Sequence, residues 1–206
     1  MVKVKICGVT SVEDAVRCVA EGADAIGINF YKGSSRCCDK AIARTIVDAV
    51  AKDAVTVGVF VDAGYDEIYA LRKAVGFSLV QLHGDEAPDL LARLLPHAFK
   101  ALKVRGPTAV DESARYGGDC ILLDAYVPGV PGGTGEIFDW AIARQIARTR
   151  RVVLAGGLTH RNVALAVARV APSWVDVASG VEISPGRKNM DLVRAFIQAA
   201  KKAQGD

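Results

Sequence analysis

Two reactive side chains sit where apolar runs of the sequence stop. The thiol of Cys7 closes residues 2–7, and the carboxylate of Asp124 follows residues 120–123. One base and one acid suffice for proton-transfer chemistry, in which one atom of a substrate is protonated and another is deprotonated. Neither residue is decisive alone, because a cysteine after a strand also serves as a small buried hydrophobe and an aspartate there also caps the next element. Two other run-ends are rich in glycine: Ala155-Gly156-Gly157-Leu158 and Ala178-Ser179-Gly180-Val181-Glu182. Their backbone N–H groups can approach an anion closely, which makes Gly156, Gly157, Ser179 and Gly180 candidate phosphate ligands. The remaining run-ends, Asn29-Phe30-Tyr31, Asp62, Gln81-Leu82-His83-Gly84 and Lys103-Val104-Arg105, are polar or titratable as well.

A repeating set of elements must hold these residues. Apolar, β-branched runs recur at residues 2–7, 25–30, 56–61, 79–82, 99–104, 120–123, 152–154 and 174–177. Helical spacing of apolar residues fills the gaps, as at Val12, Val16, Val19 and Ala20 or Ile42, Ile46, Val47 and Val50, with the weakest stretch at 110–116. The strands read as continuous apolar runs, the pattern of parallel strands covered on both faces. Eight βα units in 206 residues predict a compact α/β fold, a single (β/α)8 TIM barrel spanning residues 1–206. An open doubly wound sheet would carry a Gly-rich nucleotide loop after its first strand, and Lys5-Ile6-Cys7-Gly8-Val9-Thr10 matches neither such motif. Thr10-x-x-Glu13 reads as a capping box opening the first helix. In a barrel, Cys7 and Asp124 face one another across the mouth, and the glycines after strands seven and eight fall where barrels bind phosphate.

Composition narrows the partners. Lys+Arg 26 against Asp+Glu 23 leaves a net charge of +3, too mild for a general nucleic-acid or membrane surface but compatible with a local anion pocket. Five cysteines without C-x-x-C spacing argue against a disulfide framework or structural zinc and predict a reducing, cytoplasmic setting. Three histidines, at 83, 97 and 160, fall in no metal-binding spacing, so no metal and no cofactor are expected. Neither a signal-peptide core nor an 18-residue apolar segment is present, and a monomer or homodimer acting on a small molecule is expected.

Six blocks in order then carry a resemblance. Residues 3–10, Val80-Gln81-Leu82-His83-Gly84-Asp85-Glu86, Leu122-Leu123-Asp124-Ala125, Gly132-Gly133-Thr134-Gly135 with Phe138-Asp139-Trp140, Leu154-Ala155-Gly156-Gly157-Leu158 with Asn162-Val163, and Asp176-Val177-Ala178-Ser179-Gly180-Val181-Glu182 resemble phosphoribosylanthranilate isomerase. That family is a cofactor-independent barrel of tryptophan biosynthesis. It converts N-(5-phosphoribosyl)anthranilate to 1-(2-carboxyphenylamino)-1-deoxyribulose 5-phosphate by an Amadori rearrangement. The resemblance implies Cys7 as general base, Asp124 as general acid and Arg36 as the cation for the anthranilate carboxylate, with Gln81 and His83 near the substrate. Around Arg36 the chain departs from the family's Ser-Pro-Arg-Tyr block: Ser35 replaces the proline and Cys37 the tyrosine, which predicts a less pre-organised loop. Arg105 is the next candidate cation. For these roles Asp124 should titrate above the usual value of about 3.9, and Cys7 below about 8.5, with Lys5 contributing if it faces inward. Residues 128–136, rich in glycine and proline, read as a lid. A related isomerase of histidine biosynthesis would place an aspartate at position 7, and a non-catalytic phosphosugar-binding barrel would lack the acid or the base.

Overall fold

The computed structural model describes residues 1–104, 106–124 and 137–203, with 137–139 described by backbone alone. Arg105 and the expected lid at 128–136 lie outside these residues. Eight parallel strands close into a barrel in chain order: β1 (Lys3–Cys7), β2 (Ala25–Asn29), β3 (Val55–Phe60), β4 (Leu79–Leu82), β5 (Ala98–Lys103), β6 (Cys120–Asp124), β7 (Arg151–Ala155) and β8 (Trp174–Val177). The last strand pairs with the first through Lys5↔Asp176 and Ile6↔Val177. Helices follow the strands outside: α1 (Val12–Ala20), α2 (Lys40–Val50), α3 (Tyr65–Val75), α4 (Pro88–Leu94), α5 (Ala109–Ala114), α6 (Ile137–Ala147), α7 (Val163–Val170) and α8 (Met190–Lys202). Every expected strand is present, its ends within one residue of the apolar run.

The apolar runs are continuous because the two faces of each strand bury against different layers. Ile6, Ile26, Ile28, Leu82, Ile121, Leu123 and Leu154 face the helices and are fully buried there. The alternate residues Ala25, Val57, Phe99, Ala101, Leu122, Val153 and Ala155 form a smaller cluster inside the barrel. Three alanines in that cluster keep the interior narrow enough for side chains to fill it. Longer polar side chains stand on the same inner face, among them Lys5, Cys7 and Asp176, and they carry the barrel interior up to its C-terminal mouth.

Helix α1 starts one residue later than the capping-box spacing implies. Ser11 is its N-cap, and the hydroxyl accepts from the Asp14 N–H at 3.2 Å. Thr10 is taken elsewhere, donating its hydroxyl to the Gly186 carbonyl at 2.8 Å. That bond belongs to a feature absent from the sequence reading: a two-stranded hairpin of β9 (Glu182–Ser184) and β10 (Arg187–Lys188) inserted between β8 and α8. Strands this short leave almost no alternation to read.

Candidate active site

The C-terminal mouth holds a cavity of about 570 Å³ walled by the ends of β1, β2, β3, β4, β6, β7 and β8. It brings together Cys7, Arg36, His83, Asp124, Gly156, Gly157, Ser179 and Gly180. Gln81, expected beside His83 among the substrate contacts, is fully buried and is absent from the cavity wall. The period-2 alternation of β4 turns it inward, one layer below the mouth and in contact with His83.

Gln81 supports the Asp124 side. Its Nε2 stands 2.7 Å from His83 Nδ1, and His83 Nε2 stands 3.7 Å from Asp124 Oδ2. With the amide donating to Nδ1, it is Nε2 that carries a proton toward the carboxylate. The segment after β4 is pinned separately. Glu86 accepts from the N–H groups of Asp62 and Gly84 and pairs with buried Lys100 at 3.2 Å. Asp62, a candidate by its place at the end of a run, accepts from the Asp85 N–H and so belongs to this anchor.

The Cys7 side is more heavily charged. Lys5 and Asp176 form an ion pair of 2.9 Å inside the barrel, with Cys7 against the ammonium. Burial pushes the Cys7 thiol above its ordinary value; Lys5 pulls it down, Asp176 pushes it up, and the net is a rise. The expectation of a depressed thiol is therefore corrected: desolvation of a thiolate at the floor of the mouth outweighs the attraction of the lysine. The backbone of Cys7 is also fixed, its carbonyl accepting from Lys188 Nζ at 2.6 Å.

Arg36 does not extend freely into the cavity. Its Nε and Nη2 donate to the Glu182 carboxylate at 2.9 and 2.6 Å, a fork that leaves the opposite edge of the guanidinium for a ligand. Glu182 additionally accepts from Lys188 Nζ at 2.7 Å and from the Gly186 N–H at 3.2 Å. One carboxylate thus ties the loop after β2, the hairpin and the Cys7 backbone together. Burial works against the charged carboxylate, but Arg36 and Lys188 outweigh it and hold Glu182 below its usual value. A depressed acid stabilises the fold above its unfolded pKa and loses that contribution as pH falls through the folded value. The difference in melting temperature between the native protein and Glu182→Gln should therefore shrink as pH is lowered from 7 through the range below about 4.3. A difference unchanged down to pH 3 would show that the charge contributes nothing.

The opposite wall is backbone. Gly156 and Gly157 both have positive φ, 93° and 59°, which lets the chain turn sharply at the cavity wall. Asn162 holds the turn, accepting from the Thr159 N–H at 2.7 Å and donating to the Gly157 carbonyl at 3.1 Å. Gly180 belongs to a short 3₁₀ turn, Ser179–Val181, and a Cβ there would lie 2.0 Å from the Leu158 carbonyl oxygen. The two loops touch at that point, and all four candidate phosphate residues line the one cavity. Sequence reasoning gave no role to Asp176, Glu182 or Lys188. Alternation along β8 places Asp176 on the inner face, whereas the clamp of Glu182 and Lys188 depends on a hairpin that has no periodic signal.

Among the described residues no cluster of side chains could hold a metal ion, and no helix is long and apolar enough to cross a membrane. Comparison with known proteins then gives the relationships. The family model N-(5′-phosphoribosyl)anthranilate (PRA) isomerase matches residues 4–199. The N-(5′-phosphoribosyl)anthranilate isomerase of Trichlorobacter lovleyi is 47% identical over 204 residues, covering 98% of this chain and 100% of that protein. The crystal structure of phosphoribosyl anthranilate isomerase from Thermotoga maritima superposes with a TM-score of 0.87 at 38% identity, over 98% of this chain and all of that one. A second isomerase structure, in complex with reduced 1-(o-carboxyphenylamino)-1-deoxyribulose 5-phosphate, does so at 0.85 and 37% identity, with coverage of 98% and 100%. Match length, identity and barrel geometry agree, and the chain belongs to the N-(5′-phosphoribosyl)anthranilate isomerase family.

Proposed function

We propose that this chain isomerises N-(5′-phosphoribosyl)anthranilate to the 1-deoxyribulose 5-phosphate of tryptophan biosynthesis, one barrel domain carrying the whole reaction. The observation that supports this best is the placement of Cys7 and Asp124 on the wall of one cavity together with Arg36 and the glycine-rich residues Gly156, Gly157, Ser179 and Gly180. In the first step Asp124 gives a proton to the ribose ring oxygen, and the C1′–O bond breaks as the anthranilate nitrogen supplies the electrons for an iminium. Cys7, as thiolate, then takes the proton from C2′, whose electrons form the C1′=C2′ bond of an enolamine. Tautomerisation to the ketone completes an Amadori rearrangement in which substrate and product have the same composition. One acid and one base therefore account for the chemistry. His83, with its Nε2 proton facing Asp124, orients the acid. Gly156, Gly157, Ser179 and Gly180 take the phosphate.

Purified protein mixed with freshly prepared phosphoribosylanthranilate should abolish the anthranilate-type fluorescence of the substrate in a first-order decay proportional to enzyme. Persistence of the fluorescence with substrate in place removes the assignment.

Arg36 is the carboxylate partner in this reading. Its pair with Glu182 sets the guanidinium before substrate arrives, so the second fork is pre-formed and contributes to ground-state binding. Arg36→Met should raise KM more than it lowers kcat, with kcat/KM down by roughly 10- to 150-fold, the equivalent of about 1.5–3 kcal/mol for a hydrogen bond to a charged group. Lysine should restore only part, since an ammonium lacks the fork. A change below about twofold would transfer the role to another cation, Arg105 being the next candidate.

A further inference from the structure

The interior of this barrel contains an ion pair that its packing does not require. Lys5 is 2% exposed and sits in register with Asp176 across the β1–β8 seam. Replacing such a pair by apolar residues is commonly neutral or stabilising, so its presence is weak evidence for a stabilising role. Its surroundings point elsewhere. Gly27 on β2 lies in register with Cys7. A Cβ on Gly27 would stand 2.8 Å from the Cys7 sulfur and 3.0 Å from Lys5 Nζ, so sulfur and ammonium share the one space that this glycine leaves open.

Among the described residues, the charged groups near the sulfur can be accounted for. Lys188, from β10, is bound to the Cys7 carbonyl and to Glu182. Arg36, from the loop after β2, is also committed to Glu182. His83 and Asp124 face Cys7 from across the cavity. Lys5 and Asp176, on β1 and β8, are the pair set directly against the thiol.

We propose that Lys5 is a positioning residue for the base: its ammonium, anchored by the Asp176 carboxylate at 2.9 Å, stands against the sulfur and stabilises the Cys7 thiolate, while the Asp176 charge opposes it. The S–H proton leaves to water at the mouth and its electron pair stays on the sulfur. A fixed cation beside the sulfur is what makes a thiolate attainable at a buried position. This rests on the reading of Cys7 as the base, and it adds two residues that set when that base is available.

The two partners must act on the thiol in opposite directions, a result that simple loss of packing would not produce. The test is the alkylation rate of Cys7 by iodoacetamide as a function of pH, read on the Cys7 peptide by mass spectrometry so that the other four cysteines do not interfere. In the free enzyme, Lys5→Met should move the midpoint upward and slow alkylation at pH 7 by about tenfold or more, one pKa unit. Asp176→Asn should move it downward and accelerate alkylation by a similar factor, because the thiolate becomes the only counter-ion of the lysine. Equal midpoints, or shifts in the same direction, overturn the proposal. Should Lys5→Met fail to fold, Asp176→Asn decides alone: an unchanged or raised midpoint overturns the proposal. Alkylation requires no turnover, so the failures separate. Opposite shifts in a protein that does not consume phosphoribosylanthranilate remove the assigned reaction and leave the charge arrangement around the sulfur standing. In an active enzyme, the pH profile of kcat for Lys5→Met should move with the alkylation midpoint while KM stays near the native value.

Discussion

Cys7→Ala and Asp124→Asn should each lower kcat by about 10²- to 10⁴-fold, the range for removal of one proton-transfer group, and leave KM within a few-fold of the native value. The reason is positional. Both side chains reach the cavity wall, yet the groups proposed to bind the substrate are elsewhere on it: the β7 and β8 loop residues for the phosphate, and Arg36 for the carboxylate. Removing the sulfur or the ionisable oxygen takes away a proton path and little contact area. Alanine for Cys7 leaves the carbonyl that Lys188 holds untouched, so the strand end keeps its geometry. Asparagine for Asp124 retains the shape that His83 faces but cannot deliver a proton to the ring oxygen. Steady-state kinetics on both variants, with product binding measured by fluorescence, tests this pair of roles. Turnover within about threefold of native in either variant excludes that residue as a proton-transfer group. A KM rise with kcat intact would make it a binding residue instead.

The second large effect is the phosphate. Deleting it from the substrate should reduce kcat/KM by roughly 10²- to 10⁴-fold, because hydrogen bonds to a charged group contribute about 1.5–3 kcal/mol each and at least two amides lose their partner. The loss should appear in kcat as well as in KM, since binding energy from the phosphate end orients the reacting end. Gly180→Ala offers the complementary test from the protein side. Its new Cβ would meet the Leu158 carbonyl oxygen at 2.0 Å, so the β8 loop must move away from the β7 loop. A KM for the phosphorylated substrate raised by about tenfold or more is expected, together with weaker competitive inhibition by inorganic phosphate. Equal kcat/KM for substrates with and without the phosphate would sink the assignment of these four residues.

Much of this architecture was open to reading in one dimension because it rests on local rules. Eight apolar runs separated by helical spacing specify eight βα units, and burial on both faces leaves the parallel barrel as the arrangement that satisfies them all. Chemistry then follows from where each run stops, since strand ends point into the mouth. On that logic Cys7, Asp124, His83, Gly156-Gly157 and Ser179-Gly180 are legible in the sequence, and they do line one cavity. The same logic does not place Gln81, a buried strand residue that is not on the cavity wall, and it fails at Thr10, whose hydroxyl is drawn to Gly186, a residue distant in sequence.

What only the tertiary structure decided is which charges meet. Lys5 and Asp176 are 171 residues apart, and Arg36 and Glu182 are 146 apart. Neither pairing leaves a mark in composition or spacing, because an ion pair across a closed barrel depends on strand register and on the seam between the first and last strands. The titration of Cys7 belongs to the same class. Its residue type and position at the end of a strand were legible, but burial and a neighbouring carboxylate raise it where a lowered value was expected. Desolvation and Coulomb interactions act through space, over distances that a chain sets only once it has closed on itself.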